Sequence, residues 1–372
     1  MKLFHLSDLH IGVKINGFSM LEDQKYILNE ILLAADTENP DAVIIAGDIY
    51  DKAIPPSDAV CLFDDFLCAL SDRGIKTFII SGNHDSAERL SFGGRLMNTS
   101  GIYFSPVYDG NVQPITLTDQ YGSVNIYLLP FVKPSHVRAC FPDEEISTYT
   151  DAVRTAVSHM DVDETKRNII VAHQFFIGTS QIEPDTEFVD YSVLSPFDYA
   201  ALGHIHAAQK VGRDTVRFCG TPIKYSFSEC GTQNSITVVE MSEKDSVEIR
   251  TIELIPQRNW REIKGTYMEL TEKKFYENFP TNDYIHAILT DEEDIPDAVS
   301  KLRIIYPNIM HLSYDNRRTK AGFDIMPVSG DKPKSPFELF AEFYELQNNQ
   351  PLTDIQSDFV KSTMDKIRED SL

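Results

Sequence analysis

Five short pieces of this 372-residue sequence carry side chains suited to holding cations: Asp8-x-His10, Gly47-Asp48-Ile49-Tyr50-Asp51, Gly82-Asn83-His84-Asp85, His173 and Gly203-His204-Ile205-His206. Imidazole nitrogen and carboxylate oxygen suit manganese, iron or zinc, and no cysteine, the softer ligand, falls among them. A carboxylate bridging two ions ~3.5–4 Å apart lets the pair clamp the attacking and leaving oxygens of an in-line displacement at phosphorus. Bound metal also brings the pKa of a water down toward ~7, so hydroxide is at hand near neutrality. The chemistry expected of the set is metal-assisted hydrolysis of a phosphate ester.

Each piece alone has a blander explanation. Asp8 with His10 fits a satisfied polar loop, and Gly47-Asp48 fits a turn, where both residue types are common. Asn83-His84-Asp85 suits a helix N-cap ahead of residues 86–97, His173 a hydrogen-bonded core residue, and the 203–206 segment the polar end of a strand. Placement separates the set from these alternatives. Four pieces directly follow a predicted strand and His173 closes a fifth, and sites in open α/β sheets assemble at the carboxyl ends of strands.

The elements that must deliver these residues are legible as runs. Residues 2–7, 42–47 (AVIIAG) and 76–81 (KTFIIS) are apolar, β-rich and end in Gly or Ser. Between the first two, Ser19-Met20-Leu21-Glu22 has the form of a capping box opening a helix. That helix carries Met20, Ile27, Ile31 and Ala35 on one stripe and ends before Pro40. A second amphipathic helix spans 57–72, between Pro55-Pro56 and Gly74. Strand–helix–strand repetition implies right-handed crossovers and a largely parallel sheet. From about residue 125 strands dominate, at 126–129, 168–172, 199–203, 216–219, 235–241 and 246–254, with helices at 134–141 and 147–160. The fold class expected is therefore α/β: two packed sheets flanked by helices, forming one domain over 1–255.

A small α+β module is expected over 262–320, with strands at 267–270, 284–289 and 310–314 and helices at 273–279 and 296–305. A linker at 321–334, containing Pro327, Gly330 and Pro333, leads to a helical pair over 335–372. Ser335-Pro336-Phe337-Glu338 is a capping box with Pro at the first helical position, and Thr353-Asp354-Ile355-Gln356 is another. The first helix carries Phe337, Leu339, Phe340, Phe343, Tyr344 and Leu346, an apolar arc too wide for one buried stripe. The second places Ile355, Phe359 and Met364 in line, with Ile367 nearby. The two helices either pack on each other or dock on a partner.

Composition narrows the setting. Hydrophobic residues make up 42% and charged residues 24%, a globular balance. No apolar span reaches the ~18–20 residues of a membrane helix. The opening MKLFHL reads as a strand and not as a secretion leader. Five scattered cysteines, none in a C-x-x-C pair, suggest neither a disulfide framework nor a zinc ribbon, and a cytoplasmic location is expected. The net charge of −23 opposes nucleic-acid binding, which rests largely on Lys and Arg at phosphates. Bound metal supplies local positive charge at a site, and a basic partner protein can carry much of the remaining grip.

The five pieces together resemble the calcineurin-like metallophosphoesterase family. The segments FHLSDLHIG, GDIYD, SGNHDS, VAHQFF and GHIH are similar to those of its SbcD nucleases, the bacterial counterparts of the Mre-type double-strand-break repair nuclease. The motifs span residues 8 to 206, and the later modules fit the cap and partner-binding tail of that branch. The resemblance implies that Asp8, His10 and His206 hold one metal, that Asn83, His173 and His204 hold a second, and that Asp48 bridges them. It implies manganese as the metal and His84 as the catalytic residue facing the scissile phosphate. Asp51 matches a carboxylate that hydrogen-bonds this histidine in many members, either orienting His84 or touching substrate. The resemblance further implies 3′-to-5′ exonuclease action on duplex ends and endonuclease action on hairpins and single strands. Its implied partners are DNA, an SbcC-type ATPase docked on residues 335–372, and a second copy of the chain meeting it through 59–70 and 86–97.

His5, His136, His159, His286 and His311 lie outside the matching pieces and are expected to be structural, as is Trp260. Lys14, Arg89, Arg95, Lys210 and Arg213 flank the motifs and either meet phosphates or are ordinary surface charge. Two other functions compete. A compact phosphatase would suit the acidic charge but needs neither the module at 262–320 nor the tail. A non-catalytic scaffold would have lost ligands, whereas all seven ligand positions and His84 are filled.

Overall fold

The computed structural model describes residues 1–178, 187–316, 335–348 and 351–369. The chain divides into two units, one of residues 1–261 with 282–285 and one of 262–281 with 286–372.

The strands of the two large sheets of the first unit, in chain order, begin with β1 (Lys2–Leu6), β2 (Ala42–Ala46), β3 (Lys76–Ile80) and β4 (Ile102–Phe104). They continue with β5 (Ile115–Asp119), β6 (Gly122–Leu128), β7 (Arg167–His173) and β8 (Tyr199–Gly203). The last are β9 (Gln209–Val211), β10 (Arg213–Phe218), β11 (Ser235–Met241) and β12 (Val247–Glu253). One six-stranded sheet has the order β12-β11-β1-β2-β3-β4 and the other β9-β10-β8-β7-β6-β5. In the first, β1 to β4 run parallel and β11 joins β1 antiparallel. In the second, β6, β7, β8 and β10 run parallel between antiparallel edges.

The continuous apolar runs follow from this topology. Every residue of β2 and β7 is buried, because parallel strands inside a layered fold are covered on both faces. One core lies between the sheets, where Leu3, Ile44, Phe78 and Ile80 meet Ile126, Leu128, Ile169 and Val171. Each such side chain contributes about 1.5–3 kcal/mol by leaving water. A second core covers the outer face of the second sheet with the helices Pro134–Cys140 and Tyr149–Ser158, through Val137, Val153 and Ala156. The helices Leu21–Glu38 and Ser57–Asp72 bury Ile27, Ile31 and Ala35, and Phe63, Phe66 and Leu70. The expected two-sheet α/β sandwich is the observed fold.

Three local expectations differ. The helix after Ser19 begins at Leu21 with Met20 as its cap, and the Ser19 hydroxyl reaches only the Leu21 amide, at 3.4 Å. Ser19 is held extended by pairing with Lys14, while the Met20 side chain is drawn into the core, so the capping box does not close. Residues 86–97 form two short helices, Ala87–Leu90 and Gly94–Met97, interrupted where Gly93 takes a φ of 75°. Residues 267–270 are helical and not a strand: Thr266 and Glu269 form a reciprocal capping box opening the helix Tyr267–Thr271.

The second unit is built on a three-stranded sheet of Trp260–Gly265, Tyr284–Leu289 and Ile309–Tyr314, in that order. Its helices Tyr267–Thr271 and Ala298–Leu302 bury Leu270, Ala298 and Leu302, and the Tyr306 hydroxyl donates to the Leu270 carbonyl at 2.6 Å. The expected linker at 321–334 lies outside the described residues. Beyond it, the helices Pro336–Asn348 and Asp354–Glu369 start at the two anticipated boxes, with Glu338 and Gln356 accepting from the Ser335 and Thr353 amides.

Candidate metal centre

The carboxyl ends of β1, β2, β3, β7 and β8 point the same way, and the loops leaving them are laced together. The Asp8 amide donates to the Gly47 carbonyl at 3.0 Å and the His10 amide to the Asp48 carbonyl at 3.0 Å. Four of the side chains sit on backbone in the left-handed region: Asp8 (φ 53°), His10 (42°), Asp48 (50°) and His204 (96°). Such conformations are costly away from Gly, Asn and Asp, and they persist where surrounding contacts dictate them, often at functional sites. Glycine makes the close approach possible. A Cβ on Gly82 would lie 2.1 Å from Asp48 Oδ1, and one on Gly203 would lie 2.0 Å from the Ala46 carbonyl oxygen.

All seven expected ligand residues meet at this edge. His10 Nε2 lies 3.3 Å from His206 Nε2 and 3.7 Å from Asp48 Oδ2. Asp48 Oδ2 lies 3.2 Å from His173 Nε2, which is 4.0 Å from Asp8 Oδ1 and 3.1 Å from Asn83 Oδ1. Asn83 Oδ1 also lies 3.0 Å from His204 Nδ1. Three mutually close triads result: Asp8, His10 and His206; His10, Asp48 and His84; Asp8, Asp48 and His173. Asp8 and His173 are fully buried, whereas Asn83 and His84 are exposed, so the cluster opens to solvent on their side.

What converges is a set of lone pairs. His173 Nδ1 donates to the Ala46 carbonyl at 2.7 Å and His206 Nδ1 to the Glu229 carboxylate at 3.0 Å, which leaves each Nε2 free to accept. His173 Nε2 faces carboxylate and amide oxygens, and His206 Nε2 faces His10 Nε2. Acceptors packed this closely require a cation or a proton among them. Nitrogen and oxygen donors without thiolate fit divalent first-row metals.

The electrostatics agree. Burial raises the Asp8 carboxyl and lowers His10 and His204 to about 4. Burial also opposes charge on Asp48 and His173, yet the pair overrides it: the Asp48 carboxyl is held far below its usual range and His173 rises to about 9. At His206, burial is outweighed by the hydrogen bond to Glu229, and the net shift is upward. A cation bound at His173 would have to displace its proton.

His84 stands at the open edge. Its amide donates to Asp48 Oδ1 at 2.9 Å, and its Nδ1 donates at 3.0 Å to the main-chain carbonyl of Asp51. The hydrogen bond expected from the Asp51 carboxylate is thus made by the Asp51 backbone. A carbonyl only accepts, so Nδ1 carries the hydrogen and the Nε2 lone pair is left free.

Several supporting residues escaped the sequence reading. Asp85 accepts from the amides of Ile49, Tyr50 and Gly82 at 2.9–3.1 Å and so ties two of the loops together, with burial raising its carboxyl to about 6. Its place beside His84 was the only available signal. Glu229, Tyr225 and Gln24 lie in segments with no motif spacing at all. Among the flanking cations, Arg213 spends its guanidinium on the Leu194 and Phe197 carbonyls, and Lys210 pairs with Asp214 at 2.5 Å. His5 bonds the buried Tyr199 hydroxyl at 2.8 Å, and Trp260 is buried against Phe227 and Tyr284.

Known proteins place this architecture. Residues 1–208 match the family model described as calcineurin-like phosphoesterase, and residues 256–348 match one described as type 5 capsule protein repressor C-terminal domain. The SbcD component of the SbcCD nuclease from Staphylococcus epidermidis is 31% identical over 99% of each chain. Its namesake from Staphylococcus saprophyticus is 30% identical over 100% of this chain and 99% of its own. A solved dimetal phosphatase from Danio rerio aligns over 68% of this chain and 99% of its own at 11% identity and a TM-score of 0.41, a likeness too distant to bear on function.

Proposed function

This chain belongs to the calcineurin-like phosphoesterase family, among its SbcD-type nucleases, and from that premise we propose that it is a manganese-dependent DNA nuclease working with an ATPase partner. The observation that carries the reading is the convergence of Asp8, His10, Asp48, Asn83, His173, His204 and His206 as one cluster of imidazole, carboxylate and amide groups. Asp8, His10 and His206 are assigned to one metal and Asn83, His173 and His204 to the other. Asp48 is assigned as the bridging carboxylate, supported by its Oδ2 lying 3.2 Å from His173 and 3.7 Å from His10. Two bound ions would supply charge stabilisation at phosphorus and a hydroxide at neutral pH.

The chain's own residues do the rest. Asp48 holds the two ligand groups in register and, through Oδ1, fixes the His84 backbone. His84, exposed and with Nδ1 anchored, has Nε2 left to give a hydrogen to the departing sugar oxygen or to stabilise charge on the phosphate. Substrates assigned to the site are duplex ends, cut 3′ to 5′, and hairpins and single strands, cut internally, in DNA repair, recombination and replication. The test is direct. With manganese, the protein should degrade labelled duplex DNA and leave a chromogenic phosphomonoester untouched. Hydrolysis of the monoester alone would overturn the nuclease assignment in favour of a phosphatase, the alternative that the charge of −23 favours.

The tail is assigned to an SbcC-type ATPase. Its two helices touch each other, with Gln356 Nε2 donating to the Tyr344 hydroxyl at 3.0 Å and the Lys361 ammonium 4.6 Å from the Phe337 ring centroid. Even so, Leu339, Phe343, Ile355 and Phe359 remain 56–83% exposed, which is more apolar surface than a self-contained hairpin leaves in water. Deleting residues 335–372 is expected to leave manganese-dependent cleavage intact and to abolish co-purification with the ATPase; retained co-purification would refute the docking role. Homodimerisation is assigned to the surface of Val60, Phe92, Leu96 and Met97, where Phe92 is 83% exposed. No helix among the described residues is long and apolar enough to cross a membrane, and the free cysteines suit the cytoplasm.

A further inference from the structure

We infer that Glu229 is a positioning residue for the ligand pair His206 and His10, acting with Tyr225 and Gln24 behind it; the inference rests on the two-metal reading above. Glu229 uses both carboxylate oxygens. Oε1 accepts from His206 Nδ1 at 3.0 Å and Oε2 from the Tyr225 amide at 2.9 Å. Both oxygens are turned to these donors, and Glu229 acts through His206. Its own backbone is pinned, since its carbonyl accepts from the Thr232 amide at 2.9 Å and the Thr232 hydroxyl at 2.8 Å.

The brace reaches the other histidine from the same side. The Tyr225 hydroxyl donates to the Leu9 carbonyl and accepts from Gln24 Nε2 at 3.1 Å. Gln24, buried in the helix Leu21–Glu38, also donates to the His10 carbonyl at 2.8 Å and accepts from the Gly12 amide at 3.0 Å. The Tyr225 ring stands edge-on to His10, centroids 5.6 Å apart, and 6.2 Å from the His206 ring. One side of the His10–His206 pair is thereby walled by residues that are not ligands, while their Nε2 atoms face each other at 3.3 Å. A carboxylate on Nδ1–H selects the tautomer whose Nε2 lone pair is free and makes that nitrogen a stronger ligand, and losing such a partner typically costs about 10–100-fold in metal affinity.

The test is a manganese titration of the full-length chain, followed by the electron paramagnetic resonance signal of free Mn²⁺. The parent should bind two equivalents. Glu229→Ala should weaken one of them about 10–100-fold and spare the other. Glu229→Gln, which keeps an acceptor for Nδ1–H, should recover most of the loss. In a His206→Ala background, Glu229→Ala should add less than about a twofold effect, because the residue through which it acts is gone. Equal weakening in both backgrounds would make Glu229 a general structural residue and overturn the inference, as would unchanged affinity in Glu229→Ala. A parent that binds no manganese would sink the two-metal reading together with this assignment, whereas normal parental binding with an unaffected variant sinks the assignment alone.

Discussion

Asp48→Ala is expected to release both metals and to lower kcat/KM on DNA by about a thousand- to ten-thousandfold, the several kcal/mol that metal ions contribute to a phosphoryl transition state. The Asp48 carboxylate faces members of both proposed ligand groups, His173 at 3.2 Å and His10 at 3.7 Å. Its loss leaves the two groups without a shared anion, so metal content measured on the purified variant should fall from two equivalents toward zero. Asp48→Asn keeps an acceptor for the His84 amide and should fold as the parent does while losing most of the metal, which separates charge from shape. A pH signature accompanies the change. In the metal-free parent, Asp48 raises His173 to about 9, above its usual value near 6.5. A raised folded-state value gives stability that is fully present below about pH 6.5 and is lost as pH rises through about 9. Removing the Asp48 charge should flatten that window in urea titrations of metal-free protein. An Asp48→Ala variant that still binds two manganese ions would disprove the bridging role.

The parts of this molecule that were legible in its sequence are those where one local rule sufficed. The strand cores of β1, β2, β3, β7 and β8 are continuous apolar runs because they are buried on both faces, and each ends in polar residues because its carboxyl end is a site. The boxes at Ser335 and Thr353 close as their spacing implies. The box at Ser19 does not close, because hairpin pairing with Lys14 and burial of Met20 take precedence over local hydrogen bonding. At 267–270, expected to be a strand, the chain is helical, because Thr266 and Glu269 close a capping box. The strand positions of the sheet were instead filled by Trp260–Gly265.

Supporting residues were hidden for a different reason. Gln24 and Tyr225 are 201 positions apart and Glu229 is 23 from His206, so their pairing exists only once the loops are folded. No period or spacing encodes it. Asp51 shows the converse. Its carboxylate looked like the partner of His84, yet the contact is made by a backbone carbonyl that any residue would supply. Side-chain identity at that position is therefore less constrained by the hydrogen bond than the motif suggests.

That distinction sharpens what His84→Ser should do. The variant is expected to keep both manganese ions, because His84 is not among the seven assigned ligands and the Asp51 carbonyl it releases lies at the solvent-facing edge. It is expected to lose about 10²–10⁴-fold in kcat on DNA, the usual worth of general acid–base help. The size of the loss should depend on the leaving group. A sugar alkoxide is a strong base and needs a proton as the phosphorus–oxygen bond breaks, whereas nitrophenolate is a far weaker base and departs unaided. On a nitrophenyl phosphodiester of a nucleoside, His84→Ser should therefore lose much less than on DNA. If both substrates suffered equally with metals in place, His84 would be stabilising charge on the phosphate and not protonating the leaving oxygen. Parental rates on both would remove it from the catalytic machinery altogether. The anchored Nδ1 favours the first outcome, because it leaves Nε2 as the ring atom available to pass a proton to the leaving oxygen.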